Sequence, residues 1–426
     1  MHRPAAFCLA ILRHSWLCLW CLPCLVMGQT NEELFREYQF NFNLPGARAN
    51  AMGGAFIGVA DDATSSFSNP AGLAFLNETA VTLEYRRREL EARTGDIVGR
   101  FNTRFSQAAT TLDEVAFFSI NFRLKNWYFG VFQYDYLNES QDRNFQSRSL
   151  AGAEQRREIR AIQLDLEGVT QGIGLARRLG NVKLGLTVNN FNLRGLTSHS
   201  RFSIVTSGLQ EPQTGLFTSS IDDDDQAWGY SLGFLHEPGT RFSWGVVWRD
   251  NPKLRLQEDI LEEVNEQPVT IDKVNVPFVV PDVVGLGTRY KLRPGFQLLL
   301  DWQKIFYSQI IEDGFVIVES PNGDTKEAYN IEDSDNFHFG VEWLLGRGEN
   351  VWALRAGYWR NPVHAVTYDG DDLSILDRFA GTGLTDEDHY TLGVGWVFRN
   401  RFEVDISANY WEVGTEVTTS FIWRKK

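Results

Sequence analysis

Beyond residue 24 the chain has no cysteine: Cys8, Cys18, Cys21 and Cys24 are all four of them. A disulfide framework for the remainder is thereby excluded, and so is any thiolate metal site or cysteine nucleophile. Histidine is scarce as well, with seven in 426 residues, of which His2 and His14 lie in the first few turns of chain. No His-x-x-x-His pair, nucleophile elbow or phosphate-binding glycine loop occurs, so metal-assisted hydrolysis, acyl transfer and nucleotide chemistry lack their usual parts. Neither a catalytic site, a metal site nor a cofactor is expected. Positive charge is in deficit, 41 Lys and Arg against 55 Asp and Glu for a net charge of −14. Phosphate binding needs a basic surface, which argues against a nucleic-acid partner. Long apolar runs are also missing. The longest, Ser15–Met27, falls short of the ~20 residues a membrane helix requires.

That run has the features of a secretory leader. Arg3 and Arg13 flank it, and Val26-Met27-Gly28 offers small residues for cleavage before Gln29. Residues 1–28 are therefore expected to be a signal peptide, and its removal takes both arginines and all the cysteines with it. The net charge then goes from −14 to −16, by −14 − 2.

From residue 79 the pattern is that of strands. Phe402, Val404, Ile406, Ala408 and Tyr410 alternate with Glu403, Asp405, Ser407 and Asn409. Phe118, Ile120, Phe122 and Leu124 alternate likewise with Ser119, Asn121 and Arg123. Such period-two alternation marks strands with one apolar face. Strands are expected near 79–88, 112–124, 127–138, 157–178, 182–194, 226–236 and 241–253. A second set is expected near 282–292, 295–308, 336–345, 350–360, 388–398, 401–411 and 415–424. Tight connections such as Lys125-Asn126, Gly180-Asn181 and Arg399-Asn400 alternate with long polar loops at 89–111, 139–156, 195–225, 254–281, 309–335 and 361–387. Short turns on one side and long loops on the other describe an outer-membrane β-barrel with an even strand count. A closed barrel is also the only spanning structure left once helices are excluded. The fold class expected is all-β, a transmembrane antiparallel barrel of about fourteen strands occupying 79–426.

The segment before it, Gly46 to Leu73, is dense in Gly and Ala, carries Asp61-Asp62, and ends in Asn69-Pro70-Ala71-Gly72. Later come Pro281, Gly285 and Gly287 with Tyr290, then Asp301-Trp302, Phe339-Gly340-Val341-Glu342-Trp343, and Leu354-Arg355-Ala356-Gly357-Tyr358. Taken in order, these stretches resemble the N-terminal plug, or hatch, and the later strands of the FadL-type outer-membrane transporters of long-chain fatty acids and other hydrophobic compounds. The resemblance covers the plug and roughly the last 150 residues. It implies a plug over residues 29–78 within the lumen, hatch residues Asn69, Pro70, Ala71, Gly72, Asp61 and Asp62, and passive uptake without energy coupling. The plug also looks like that of PorV-type barrels, accessory proteins of a secretion system, and a non-specific porin is a third reading. The expected location is the bacterial outer membrane with both termini periplasmic, and the expected state a monomer.

Several side chains follow from strand parity. Arg123, Arg289, Lys291 and Arg355 are lumen-facing cations, able either to receive a fatty-acid carboxylate or to pair with carboxylates such as Asp61, Asp62, Glu403 and Asp405. Phe129, Val131, Leu299, Trp411 and Ile422 break the alternation as apolar residues on the polar face. With Phe56, Phe67, Leu73 and Phe75 of the plug they are expected to line an apolar pocket. Ser198-His199-Ser200 is the nearest approach to a catalytic group, in a long loop. Asp222–Asp225 and Asp371-Asp372 invite a calcium reading, although solvated extracellular charge is the preferred one. Arg86-Arg87-Arg88 is placed to meet lipopolysaccharide phosphates, and Gly130 is a candidate position for a wall-strand bulge that would serve a sideways exit.

Overall fold

The computed structural model describes residues 42–97, 103–151, 154–207, 211–314, 328–364, 366–370 and 386–425. The leader and Asp371-Asp372 lie outside these. The first seven strands are β1 (Thr79–Ile97), β2 (Thr103–Leu124), β3 (Trp127–Ala151), β4 (Glu154–Leu179), β5 (Val182–Ser207), β6 (Gln213–His236) and β7 (Phe242–Asp250). Next come β8 (Lys253–Val264), β9 (Gln267–Val279), β10 (Val283–Arg293), β11 (Phe296–Ile305), β12 (Tyr329–Asn330) and β13 (Ser334–Arg347). The chain closes with β14 (Asn350–Asn361), β15 (Thr367–Tyr368), β16 (Glu387–Phe398), β17 (Phe402–Trp411) and β18 (Gly414–Lys425). Antiparallel pairing runs from β1 through β7, on to β10, β11, β13, β14, β16 and β17, and returns through β18 to β1. That ring is a closed barrel of fourteen strands. Closure removes every sheet edge from the hydrocarbon layer, where an unpaired backbone group would find no water.

Alternation explains the ring's two faces. Phe118, Leu286, Leu300, Leu354, Leu392 and Phe421 point outward and are exposed, as lipid-facing side chains should be. Trp127, Tyr290, Trp343, Trp352, Trp396 and Trp423 are exposed near the short-turn end, and Tyr85, Tyr230, Trp248, Tyr390 and Tyr410 near the loop end. These are the two aromatic girdles of a barrel that sits in a membrane. The inward faces carry Thr82, Glu84, Asn121, Gln303, Thr391, Asp405 and Ser420, all buried. Water does not bury them; the N-terminal segment does.

The loop end differs from the sequence expectation. The described parts of the segments at 89–111, 139–156 and 195–225, expected as polar loops, are almost entirely continuations of the wall strands. β3, β4 and β5 are 25, 26 and 26 residues long, whereas about 10 residues cross the hydrocarbon. The loop reading failed because these stretches are rich in polar residues and show no sustained apolar alternation, which in water is compatible with a ladder whose backbone groups pair across the hairpin. The segment 254–281 is likewise not a loop. It forms the β8–β9 hairpin, whose β8 pairs with the outer end of β6 outside the ring. Asp223 and Asp225 continue that contact, accepting hydrogen bonds of 2.7 Å from the backbone N–H groups of Gln257 and Arg255. The acidic run thus serves strand pairing, and among the described residues no group of His, Cys, Asp and Glu is arranged to hold a metal. Ser198-His199-Ser200 lies within β5, paired to both β4 and β6, and not in a loop.

Since β8 and β9 stand outside the ring, replacing 253–279 by a short Gly-Ser linker is expected to leave the barrel closed. Heat-modifiable migration on gels, with and without boiling, checks this; loss of the compact band would show that the hairpin is needed for closure. Buried Leu254, Leu256 and Phe278 go with the hairpin, at ~1.5–3 kcal/mol of apolar burial each.

Candidate functional site

The plug is built from short pieces: helix α1 (Ala47–Ala51), helix α2 (Ser65–Ser68) and a 3₁₀ turn, Pro70–Phe75. None is long enough to satisfy its own backbone, so the wall does it. Ser420 Oγ accepts from Ala47 N at 2.8 Å, and Thr391 Oγ1 links Gly53 N and Ala51 O at 3.0 Å each. Asp301 Oδ2 accepts from both Phe56 N and Ile57 N at 2.7 Å. Ser243 donates to Gly58 O, Ser119 and Asn121 to Ala63 O, and Thr187 to Ser66 O. Each of these inward polar side chains therefore replaces a strand or helix partner that the plug lacks.

Asn69 is the most connected hatch residue. Its Oδ1 accepts from Ala71 N, capping the 3₁₀ turn in which Pro70 takes the first position. Its Nδ2 lies 3.1 Å from Ile57 O and 3.3 Å from Phe234 O on β6. One amide thus ties two parts of the plug to the wall. Pro70, Ala71 and Gly72 are all buried beside it.

Charge is organised around Arg48. Its Nη1 lies 2.6 Å from Asp61 and 3.6 Å from Asp62, and its Nε 2.9 Å from Glu342 on β13. Burial pushes the Asp62 carboxyl above its ordinary value, against the pull of Arg48 and of hydrogen bonds from Thr64. Arg355 continues the network at 2.8 Å from Glu342 and 2.5 Å from Asp405. Arg289 meets Glu237 at 3.0 Å and Asp61 at 3.7 Å. Arg355 and Arg289 are thus committed to carboxylates, the pairing side of the sequence expectation and not the ligand-receiving side. Lys291 is half-buried on β10. Arg123 is exposed at the short-turn end, bonded to Lys125 O and Asn77, and does not enter the lumen. Of the arginine triplet, Arg86 is buried with Glu84 and Glu416, Arg88 also reaches Glu416, and only Arg87 remains at the surface. The alternating face of β1 takes the outer two inward, so no three-residue phosphate patch exists.

Toward the loop end the lumen changes character. Leu137, Leu164, Leu166, Leu193, Ile221, Leu254, Leu256, Phe278, Val283, Ile305 and Tyr307 are buried together with Ile310, Tyr329, Ile331, Val366 and Tyr368 from the connections. Tyr307 stacks on His364 with centroids 4.2 Å apart, and Phe42, at the start of the plug, packs against Tyr307. These side chains make the mouth of the lumen apolar, but they are not the residues read from parity. Phe129 and Val131 face the lipid: Phe129 stacks on outward Phe122 at 5.3 Å, and Val131 is exposed. Tyr128, Gly130, Phe132 and Tyr134 hold the inward face of β3 instead, so the register differs by one residue, which reverses every side chain. Leu299 and Ile422 do face inward, packed on the plug, as do the plug's own Phe56 and Leu73. Trp411 faces inward and ends a stack of His338, Trp359 and His389 along the wall, with successive centroids 5.4, 3.8 and 5.0 Å apart. Phe67 packs on Tyr134 at 4.6 Å, and Phe75 lies under Lys183.

Gly130 carries no bulge; it pairs regularly with Asn121 and Gly174 and leaves room for Leu73. The wall is irregular six residues later, between Asp135 and Leu137, where Tyr136 lies over Gly168. The β2–β3 pairing ends nearby at Phe117 and Tyr134; beyond it β2 pairs with β1 and β3 with β4. A 2.8 Å hydrogen bond from Asn138 to Glu114 crosses the gap.

Inward glycine was the signal missed in the sequence. Gly185, Gly233, Gly245, Gly287, Gly340, Gly357 and Gly393 form a belt on seven strands, and a Cβ on each would strike plug atoms between Ala51 and Ala71. Apolar-Gly-apolar triplets on six of these strands, and Leu286-Gly287-Thr288 on β10, mark it.

Comparison with known proteins places this arrangement. A model of the family described as "Outer membrane protein transport protein (OMPP1/FadL/TodX)" matches residues 40–420. Among solved structures the chain is similar to a Pseudomonas aeruginosa FadL homologue, with 12% identity, TM-score 0.60, and 90% of this chain and 96% of that one covered. The Ralstonia pickettii toluene transporter TbuX gives 15% identity, TM-score 0.57, and 91% and 100% coverage. The Pseudomonas putida toluene transporter TodX gives 13%, 0.56, and 91% and 99%. No curated protein matches the chain. These structures support the fold; the family model, covering nearly the whole barrel and plug, identifies the chain as a member of the FadL/TodX family of outer-membrane channels for hydrophobic compounds, a family of transporters and not of enzymes.

Proposed function

We propose that the protein carries long-chain fatty acids or similar hydrophobic molecules into the periplasm by binding and diffusion, gated by movement of the plug. The observation that carries this reading is the division of the lumen. Apolar side chains fill the loop end, and a plug held by polar contacts closes the level below. Cargo enters from the extracellular loop end, sheds water against Leu254, Phe278 and Tyr307, and waits above the hatch. The gap between β2 and β3 opens at the loop-end girdle and is our choice for a sideways exit into the membrane. Short turns lie on the periplasmic side in this orientation, which puts the C-terminus there.

A water-filled porin fits poorly, because its lumen would be lined by charge and open to solvent. The secretion-accessory reading predicts a lumen closed by charged pairs throughout; here they lie at the plug, with the apolar mouth beyond them.

Uptake of a labelled long-chain fatty acid by cells lacking their own transporter tests the proposal. Wild-type protein is expected to raise uptake above background. Asn69→Ala removes the donor to Ile57 O and Phe234 O, each buried carbonyl losing ~1–3 kcal/mol of compensation. It is expected to cut uptake about tenfold, since 1.4 kcal/mol is a factor of ten, while the barrel stays folded. Undiminished uptake by a correctly folded variant would remove the hatch mechanism. No uptake by folded wild-type protein would remove this cargo class.

A further inference from the structure

The short-turn end of the barrel reverses the charge of the chain. Overall net charge is −14, yet Arg or Lys is exposed at the β2–β3, β4–β5, β6–β7, β10–β11 and β16–β17 turns. The exposed carboxylates at this end are Glu78 and Glu349. Three of the arginines lie on rings of the aromatic girdle. Arg177 is the cross-strand partner of Trp127 and covers its ring at 5.0 Å. Arg293 lies 5.5 Å from the ring of Phe296 and 5.8 Å from that of Trp343, which face each other across β11 and β13. Arg399 lies 4.9 Å from the ring of Phe398, itself 5.4 Å from Trp396. The ion pairs of this end join Lys183 and Arg289 to Glu237, and Arg424 to Glu403. Among the described residues, Arg177, Arg293 and Arg399 pair with no carboxylate, and Arg399 donates to Asn350 through its backbone N–H alone.

We propose that this rim is a binding surface for anionic phospholipid, with each ring-stacked arginine taking a lipid phosphodiester. Depth selects the ligand class. Girdle aromatics sit at the level of the lipid head groups, and a guanidinium laid on such a ring is held there by cation–π attraction. Stacking uses the face of the guanidinium and leaves its N–H edge, a rigid fork of donors, for two phosphate oxygens. Every phospholipid carries that phosphodiester, so the stacked arginines alone would not discriminate among them. The further cations on the neighbouring turns do, because their field favours a head group that lacks an ammonium, such as phosphatidylglycerol, over phosphatidylcholine. In the orientation proposed above, the leaflet concerned is the periplasmic one. At the loop end the exposed arginine of the 86–88 triplet, Arg87, is instead paired with Glu89 at 3.1 Å.

The competing accounts are that these cations only keep the turns soluble, or that they meet an acidic periplasmic protein. Purified full-length protein would be placed in nanodiscs of mixed phosphatidylcholine and phosphatidylglycerol, with one lipid or the other brominated, and quenching of tryptophan fluorescence read as relative lipid affinity. Wild-type protein is expected to favour phosphatidylglycerol by about fivefold, the factor that one cation at a membrane surface contributes. That preference should shrink at high NaCl. Arg177→Gln, Arg293→Gln and Arg399→Gln combined should bring the two lipids within about twofold of each other. Lysine at the same three positions keeps the charge without the planar fork and should retain part of the preference. Arg87→Gln, which removes a cation from the other rim, should leave it unchanged. The salt series on wild-type protein keeps the test decisive if the triple variant does not fold. Equal quenching by both lipids in wild-type protein would overturn the proposal and leave the rim to a soluble partner. Full preference in a folded triple variant would overturn it too. An epitope tag inserted at Gly239, a turn with open space around it, fixes the leaflet. Intact cells are expected to stay unlabelled; labelling from outside would turn the rim toward lipopolysaccharide and overturn the assignment to phospholipid. None of these readouts depends on the cargo.

Discussion

Arg48→Met is expected to loosen the plug by about 3 kcal/mol, the low end of the range for breaking a buried ion pair. The reason lies in what remains. Asp62 is buried and Glu342 nearly inaccessible, and without Arg48 their charges face each other across the plug–wall boundary. Glu342 keeps Arg355 and a 2.6 Å hydrogen bond from Gln297, and Asp62 keeps Thr64, which is why the cost is not larger. Amide exchange over residues 44–76 is expected to accelerate about a hundredfold, at 1.36 kcal/mol per factor of ten, while exchange in the barrel ladders stays slow. Adding Glu342→Gln to the variant removes one of the stranded charges and should restore part of the protection, as coupled partners in one network do. Wild-type exchange in the single variant would mean that the ion pairs accompany the docked plug without holding it.

Much of this was legible in the sequence. Strand count, turn placement and closure followed from alternation, because the membrane demands one apolar face and the lumen tolerates polar residues. The ordered motifs of the second half were visible too, and the structure gives them a common physical meaning as seats for the plug. Gly287 clears the path for Ile57 and Gly58, Asp301 takes two plug amides, Gly340 meets Met52, Glu342 takes Arg48, and Gly357 meets Gly53. What was not legible depended on register and on chain beyond the membrane. Phe129 and Val131 lie opposite outward-facing Phe122 and Ile120 across a regular two-residue hairpin, so their face depends on the hairpin register, which a slip of one residue reverses. The apolar mouth draws on β8, β9 and the β11–β13 and β14–β16 connections, which no local pattern ties together.

Gly357→Leu is the variant expected to unseat the plug most completely. An added Cβ would run into Gly53 N and the carbonyl carbon of Met52. Both are backbone atoms that cannot rotate away, unlike the tip of a side chain. Gly53 is itself held at φ +63°, a conformation that suits glycine, so the plug's turn has little freedom to yield locally. Overpacking a core costs ~1–3 kcal/mol where side chains can adjust; here they cannot, and three further carbons follow the first. The barrel is the stiffer party, since its strands are hydrogen-bonded around a closed ring, so the displacement falls on the plug. Purified variant in a planar bilayer is expected to conduct ions where wild-type protein is nearly silent, and cells carrying it should become sensitive to vancomycin, a large polar antibiotic. Gly239→Leu is the control, because no atom lies within 4 Å of a Cβ at that turn, and it should do neither. Leak in both variants would assign the effect to a weakened barrel. Leak in neither, with Gly357→Leu folded, would mean that the plug adapts to a side chain at its closest point of contact with the wall. The glycine belt would then be a matter of strand packing and not of seating the hatch.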